Sequence, residues 1–157
     1  MKVIIGPYVE DNTPRQIEIT IDTYDTWSMD HTLALIIVPM LKQLKATKHG
    51  SPLVDDEYVP EHLRSTAAPP KENEWDTDTN HFKRWDYVLD EMIWAMEQIV
   101  AHDNEDQFYD MSEVDEEAEI NEQLDAIKCD YAALQKHHER IANGTKLFGV
   151  FFQNLWD

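Results

Sequence analysis

Polar and apolar residues alternate over Gln16-Ile17-Glu18-Ile19-Thr20-Ile21-Asp22, which puts three isoleucines on one face of a strand. A shorter apolar run, Val3-Ile4-Ile5, precedes it across the turn-forming Gly6-Pro7 and Asp11-Asn12-Thr13-Pro14. The pattern predicts a small β hairpin within residues 1–24, packed on helices by its isoleucine face. The period then changes. From Leu33 to Leu41 the chain is apolar nearly all round, which predicts a central, buried helix over residues 28–49, capped by Ser28 or Asp30. Pro39 inside it removes one backbone donor and predicts a kink. Beyond Leu41 the pattern becomes amphipathic, with Leu44 inward and Lys42, Lys45 and Lys48 outward.

Residues 50–79 show no period and read as an irregular loop anchored by Tyr58, Leu63 and Trp75. So long a loop is functional, draped over the core or partly disordered. Helical spacing returns at 80–102, where Phe82, Trp85, Leu89, Met92, Ile93, Met96, Ile99 and Val100 recur. An acidic linker follows at 103–114. From 115 to 156, Ile120, Leu124, Ile127, Tyr131, Leu134, His138, Ile141, Thr145, Phe148, Phe152 and Leu155 alternate in steps of four and three. That seam predicts a long helix, kinked or split at Asn143-Gly144, and points to a homo-oligomer. The distribution of breakers agrees: all seven prolines precede Lys71, and residues 71–143 contain neither Pro nor Gly. The expected fold is mainly α, a three-helix bundle-like core with a long C-terminal helix and a small N-terminal β hairpin, in one domain over 1–157.

Composition narrows the function classes. The 157 residues carry a formal charge of −19, which opposes direct binding to nucleic acid or to an anionic membrane. The imbalance is local. Residues 103–130 hold twelve acids against Lys128 alone, more than half of the net charge. No apolar run approaches the roughly 20 residues of a membrane span, and the N-terminal apolar stretch is too short for a signal peptide, so a cytoplasmic setting is expected. The single cysteine, Cys129, excludes an internal disulfide framework and any multi-cysteine metal site in one chain.

Nucleophilic catalysis has little support. Cys129 has no histidine partner fixed nearby, Ser28 lacks a glycine elbow, and no Gly-rich phosphate loop exists. Neither Glu-x-x-His nor His-Glu-x-x-His occurs, and Asp78-x-x-His81 is the nearest echo of a metal pair. His138, on the apolar seam, is the candidate buried histidine, more readily a hydrogen-bonded core residue than a ligand. Asp115-Glu116-x-x-Glu119 and Glu122-x-x-Asp125 approximate the magnesium-binding acids of all-α nucleotide pyrophosphohydrolases. The two halves are adjacent on one stretch, however, and cannot face each other across a site. No cofactor is called for, and catalysis is less expected than binding.

Two aromatic-polar clusters remain: Tyr24 to His31, and Trp75 to Trp85. Each mixes rings with hydrogen-bonding groups at a helix start, where a planar or anionic ligand can stack and be read. The candidate ligand-binding residues are Trp27, Asp30, His31, Arg84 and Trp85, with Lys42, Lys45 and Lys48 available to neutralise a phosphate. The competing account makes the Trp residues core anchors, the Asp and Ser residues caps, and the lysines counter-charges. The acidic tract offers a different function, a surface that imitates a phosphate backbone and occupies a nucleic-acid-binding host protein through Glu116, Glu117 and Glu119. It too has a plainer account as solvated helix ends and linker.

Several stretches resemble a family of small tailed-bacteriophage proteins. They are DTWSMDHTLALIIVPMLKQLK (25–45), HGSP (49–52), NHFKRWDYVLDEMIW (80–94), HERIANGTKLFG (138–149) and the closing LWD (155–157). The resemblance implies a viral protein acting inside the infected host cell, and carries no activity or functional residues with it. The resulting expectation is a phage accessory protein that binds. It takes either a small anionic or nucleotide-like host molecule such as a defence signal, or a host protein met by the acidic tract. A metal-dependent all-α nucleotide hydrolase is the third reading.

Overall fold

The computed structural model describes residues 1–8, 13–115 and 117–156. It is mainly α with a small antiparallel hairpin near the N-terminus. Strands β1 (Lys2–Ile5) and β2 (Ile17–Thr20) pair with Val3 opposite Ile19 and Ile5 opposite Ile17. Three long helices follow: α1 (Met29–Thr47), α2 (His81–Val100) and α4 (Tyr131–Val150). A short helix α3 (Ile120–Ala126) lies between the two-residue strands β3 (Tyr109–Asp110) and β4 (Lys128–Cys129), which pair antiparallel.

The middle helix of the bundle is α2, a departure from the expectation that α1 would be central. Trp85, Val88, Leu89, Met92, Ala95 and Met96 of α2 are all buried. They are enclosed because α1 packs on one side and α4 on the other. Both neighbours run antiparallel to α2. On one side Lys42, Lys45 and Lys48 pair with Glu97, Asp90 and Asp86. On the other, Arg140 pairs with Glu91 and Phe151 packs on Trp85. With a neighbour on one side only, α1 buries Ala34 and Leu41 and leaves Met29, Leu33, Leu35 and Met40 exposed. Its all-round apolar character therefore signals an uncovered outer face, not a central position.

The stretch expected as one helix from 115 to 156 is two helices separated by β4. Asp130 starts α4 afresh, its side chain accepting from the Ala133 amide at 3.0 Å, while its own amide donates to the Phe108 carbonyl. The interruption resets the helical phase, so the predicted seam is wrong by one residue. Its upstream members Ile120, Leu124 and Tyr131 are exposed, and the face of α4 that packs is His137, Gly144, Leu147 and Phe151. His138 is correspondingly exposed and bonds Glu105 at 2.7 Å, whereas His137 is the buried histidine. Gly144 does not split the helix either; α4 runs through it.

Residues 52–80 are draped over the bundle. Three short 3-10 turns carry the chain, and Val54 and Val59 insert into the core, with Leu63 partly buried and Tyr58 edge-on to Phe151. Trp75, expected as an anchor, is 93% exposed. The isoleucine face of the hairpin is likewise not packed on helices: every residue of β1 and β2 is exposed. Its helical attachment is slight, the N-terminal amino group bonding Asp25 at 3.1 Å beside the turn that precedes α1.

Candidate functional site

The residues proposed from sequence for a ligand site fall at opposite ends of the bundle. Trp27, Asp30 and His31 sit at the start of α1, where the His31 ring lies 5.4 Å from that of His102, just beyond the C-terminal end of α2. Arg84 and Trp85 are in the first turns of α2. At 1.5 Å per residue, the length of α2 separates the two groups by roughly 25 Å. Trp85 is a core residue, 1% exposed, and is closed to any ligand. What remains at the first end is a shallow hollow of about 450 Å³ lined by Tyr24, Trp27, Ser28, His31 and Thr32, with Trp27 85% exposed over it.

Arg84 borders a larger depression of about 700 Å³ formed by the draped loop. Its side chain is 3% exposed, and both terminal nitrogens are taken up by local bonds while the buried Nε has no partner among the described residues. Nη1 and Nη2 hold Asp78 bidentately at 2.9 and 2.7 Å, and Nη1 also reaches the Leu63 carbonyl at 3.3 Å. The hydrogen bonds from Arg84 hold the Asp78 carboxyl well below its ordinary value, to about 2. Across the same depression Asp56 accepts from the Ser65 hydroxyl and amide at 2.6 and 2.7 Å, which also lowers its pKa. Asp55, Asp56 and Asp78 outnumber Lys71 and Arg84 in the lining, so this cavity does not attract an anion. Lys42, Lys45 and Lys48 are each held by an acid of α2 and are not free for a phosphate. Asp78, noted in the sequence only beside His81, is the functional partner that sequence reasoning missed. The signal was its place three residues before the start of α2, within reach of a basic residue in the first turn.

Among the described residues, no three His, Cys, Asp or Glu side chains gather where a metal ion could be held, and no helix is long and apolar enough to cross a membrane.

The acidic segment has a different character. Asp103, Asp106, Asp110, Glu113, Asp115, Glu117, Glu119, Glu122, Asp125 and Asp130 are all exposed. Glu116, proposed with Glu117 and Glu119 as a partner contact, lies outside the described residues. Among the described residues of this segment, Lys128 pairs with Glu113 at 2.7 Å and His138 hydrogen-bonds Glu105, and no other basic side chain meets these acids. The helical body contrasts with this, because Asp78, Asp86, Asp90, Glu91 and Glu97 each face a cation. Among the described residues, the excursion between β3 and β4 therefore projects negative charge that is offset only at Glu113, by Lys128. Met111, Ile120 and Leu124 stand exposed among these acids, the last two one turn apart on the same face of α3.

Fold and surface together define a mainly α domain with an uncompensated acidic excursion and an uncovered apolar hairpin. Comparison with protein-family models, curated proteins and solved structures gives no match.

Proposed function

We propose that this chain is an accessory protein, viral by its sequence resemblance, that acts by binding a host protein with a basic surface through the excursion at 103–130. The observation that carries this reading is the contrast in charge pairing. Acids along α2 are neutralised one by one, whereas most of the described acids of the excursion are exposed and without an ion-pair partner. Such a field speeds encounter with a basic partner and rejects acidic ones. Ile120 and Leu124 on α3 add an apolar stripe of the kind that seats in a groove. A partner that normally holds nucleic acid has the required basic surface, and occupying it would block that role. The quadruple variant Glu117→Gln, Glu119→Gln, Glu122→Gln and Asp125→Asn is expected to lose the partner retained by the unaltered chain. Raising salt should release the partner from the unaltered chain. Carboxylate-directed cross-linking read by mass spectrometry should locate the contact at 103–130; equal retention by the variant would overturn the reading.

A second reading rests on the hollow at Trp27 and His31, where a planar host molecule can stack on an exposed ring beside an imidazole. It calls for calorimetry with a panel of nucleotides. Heat that disappears in Trp27→Ala supports it, and no heat with any member at high protein concentration removes it.

A further inference from the structure

The N-terminal hairpin has two unlike faces. Because residues opposite each other share a face, Val3, Ile5, Ile17 and Ile19 lie together, and the pairing extended by one residue adds Met1 and Ile21. Lys2, Ile4, Glu18 and Thr20 take the other face, where Lys2 and Glu18 form an ion pair at 2.6 Å. The first face bears no charged side chain, the Met1 ammonium at its end being paired with Asp25, and its six side chains are 38% to 62% exposed. The hairpin has no extensive packing on any helix.

We propose that this face is the interface of a symmetric dimer, in which two copies of the chain stack their hairpins apolar face to apolar face into a four-stranded sandwich. Three observations commit it to a second copy. A two-stranded hairpin packed on nothing is marginal at best, so its cover must be present whenever the chain is folded, in equal amount and in every setting. A second copy meets that condition, while a host partner encountered later does not. The face is also self-complementary under a two-fold axis, each copy offering the same pair of cross-strand contacts to the other. Finally, two chains of charge −19 repel through most of their surface and can meet closely only where a face carries no acid. The area is sufficient. Six half-exposed side chains of this size present on the order of 500 Å² per copy, about 1,000 Å² for the pair, the lower bound for a specific interface. The 3-10 turn joined to Met1 through Asp25 brings exposed Tyr24 near the same end of the hairpin.

Sedimentation equilibrium of the full chain tests the dimer. The expected mass is twice the 18.4 kDa of one chain, and the dimer should tighten as salt rises, because screening weakens repulsion and leaves apolar contact. That salt response is opposite in sign to the one expected for the acidic excursion, so the two proposals fail separately. Ile17→Asp should sediment as a monomer with its helical circular dichroism intact, while Ile4→Asp, on the other face, should remain dimeric. Should Ile17→Asp fail to fold, Ile19→Cys with Cys129→Ser is expected to form an intermolecular disulfide under mild oxidation. A monomer at 100-fold varied concentration, a dimer broken equally by Ile4→Asp, or no disulfide at position 19 would each overturn the proposal.

Discussion

Asp78→Ala is expected to destabilise the chain by about 3–5 kcal/mol, because it strands a buried guanidinium without its counter-charge. Arg84 is 3% exposed, so water entering from the neighbouring depression only partly replaces the lost carboxylate. The consequences extend beyond one pair. Arg84 also reaches the Leu63 carbonyl, and Asp78 accepts from the Asn80 amide at 2.9 Å, so the pair ties the loop at 63 and at 78 to the first turn of α2. Urea denaturation should show a lower midpoint, and limited proteolysis should open residues 64–79 first. The pH dependence identifies the cause. Asp78 has its folded pKa lowered to about 2 against an ordinary 3.8, so its contribution is full above about pH 4. It is lost as pH falls from there through 2, and by linkage it amounts to about 2 kcal/mol. Unaltered protein should therefore lose stability steeply over that window, and Asp78→Ala less steeply. Equal acid slopes would show that the pair contributes nothing specific.

The helices and the hairpin were legible in the chain because their patterns are local. Predicted bounds of 28–49 and 80–102 compare with Met29–Thr47 and His81–Val100. Reading the four-three seam as one helix failed at Lys128–Cys129, where pairing with Tyr109–Asp110 overrides helical spacing. That pairing joins residues about twenty apart in sequence, which periodicity cannot see, and the phase error it caused moved the buried histidine from 137 to 138. Burial of the hairpin and of α1 failed for another reason. An apolar face announces that something covers it, but the pattern does not say whether the cover belongs to the same chain. Of the candidate site residues, Trp27 and His31 line one hollow because they are neighbours at one helix start. Trp85 was wrongly added because a ring on a ligand and a ring in a core leave the same mark in sequence. Arg84 looked available only while its partner was unknown.

Gly144 gives the other large expected effect, and its sign runs against helix propensity. In an isolated helix Gly→Ala gains about 1 kcal/mol, so position 144 in the interior of α4 reads as an obvious site for stabilisation. Packing reverses this. A β-carbon on Gly144 would overlap the Ala95 side chain and the Glu91 carbonyl oxygen of α2, and would stand 3.2 Å from the Glu91 carbonyl carbon. Neither contact can be relieved by a rotamer change, because the Ala95 β-carbon is fixed to its backbone and the carbonyl belongs to the helix, so α4 itself must shift. The shift would strain the bond made one turn earlier, where the Glu91 carboxylate holds Arg140 at 2.7 and 3.0 Å while that guanidinium lies 3.9 Å over the Trp94 ring. Gly144→Ala is therefore expected to cost about 1–3 kcal/mol in spite of the propensity gain, and the bulkier Gly144→Val more than that. Adding Ala95→Gly should return only part of the loss, since it clears the side chain and leaves the carbonyl in place. The four proteins of that cycle, compared by urea denaturation, decide the matter. Full recovery in the double variant would place the conflict at Ala95 alone, and a stabilised Gly144→Ala would mean that the two helices do not approach this closely.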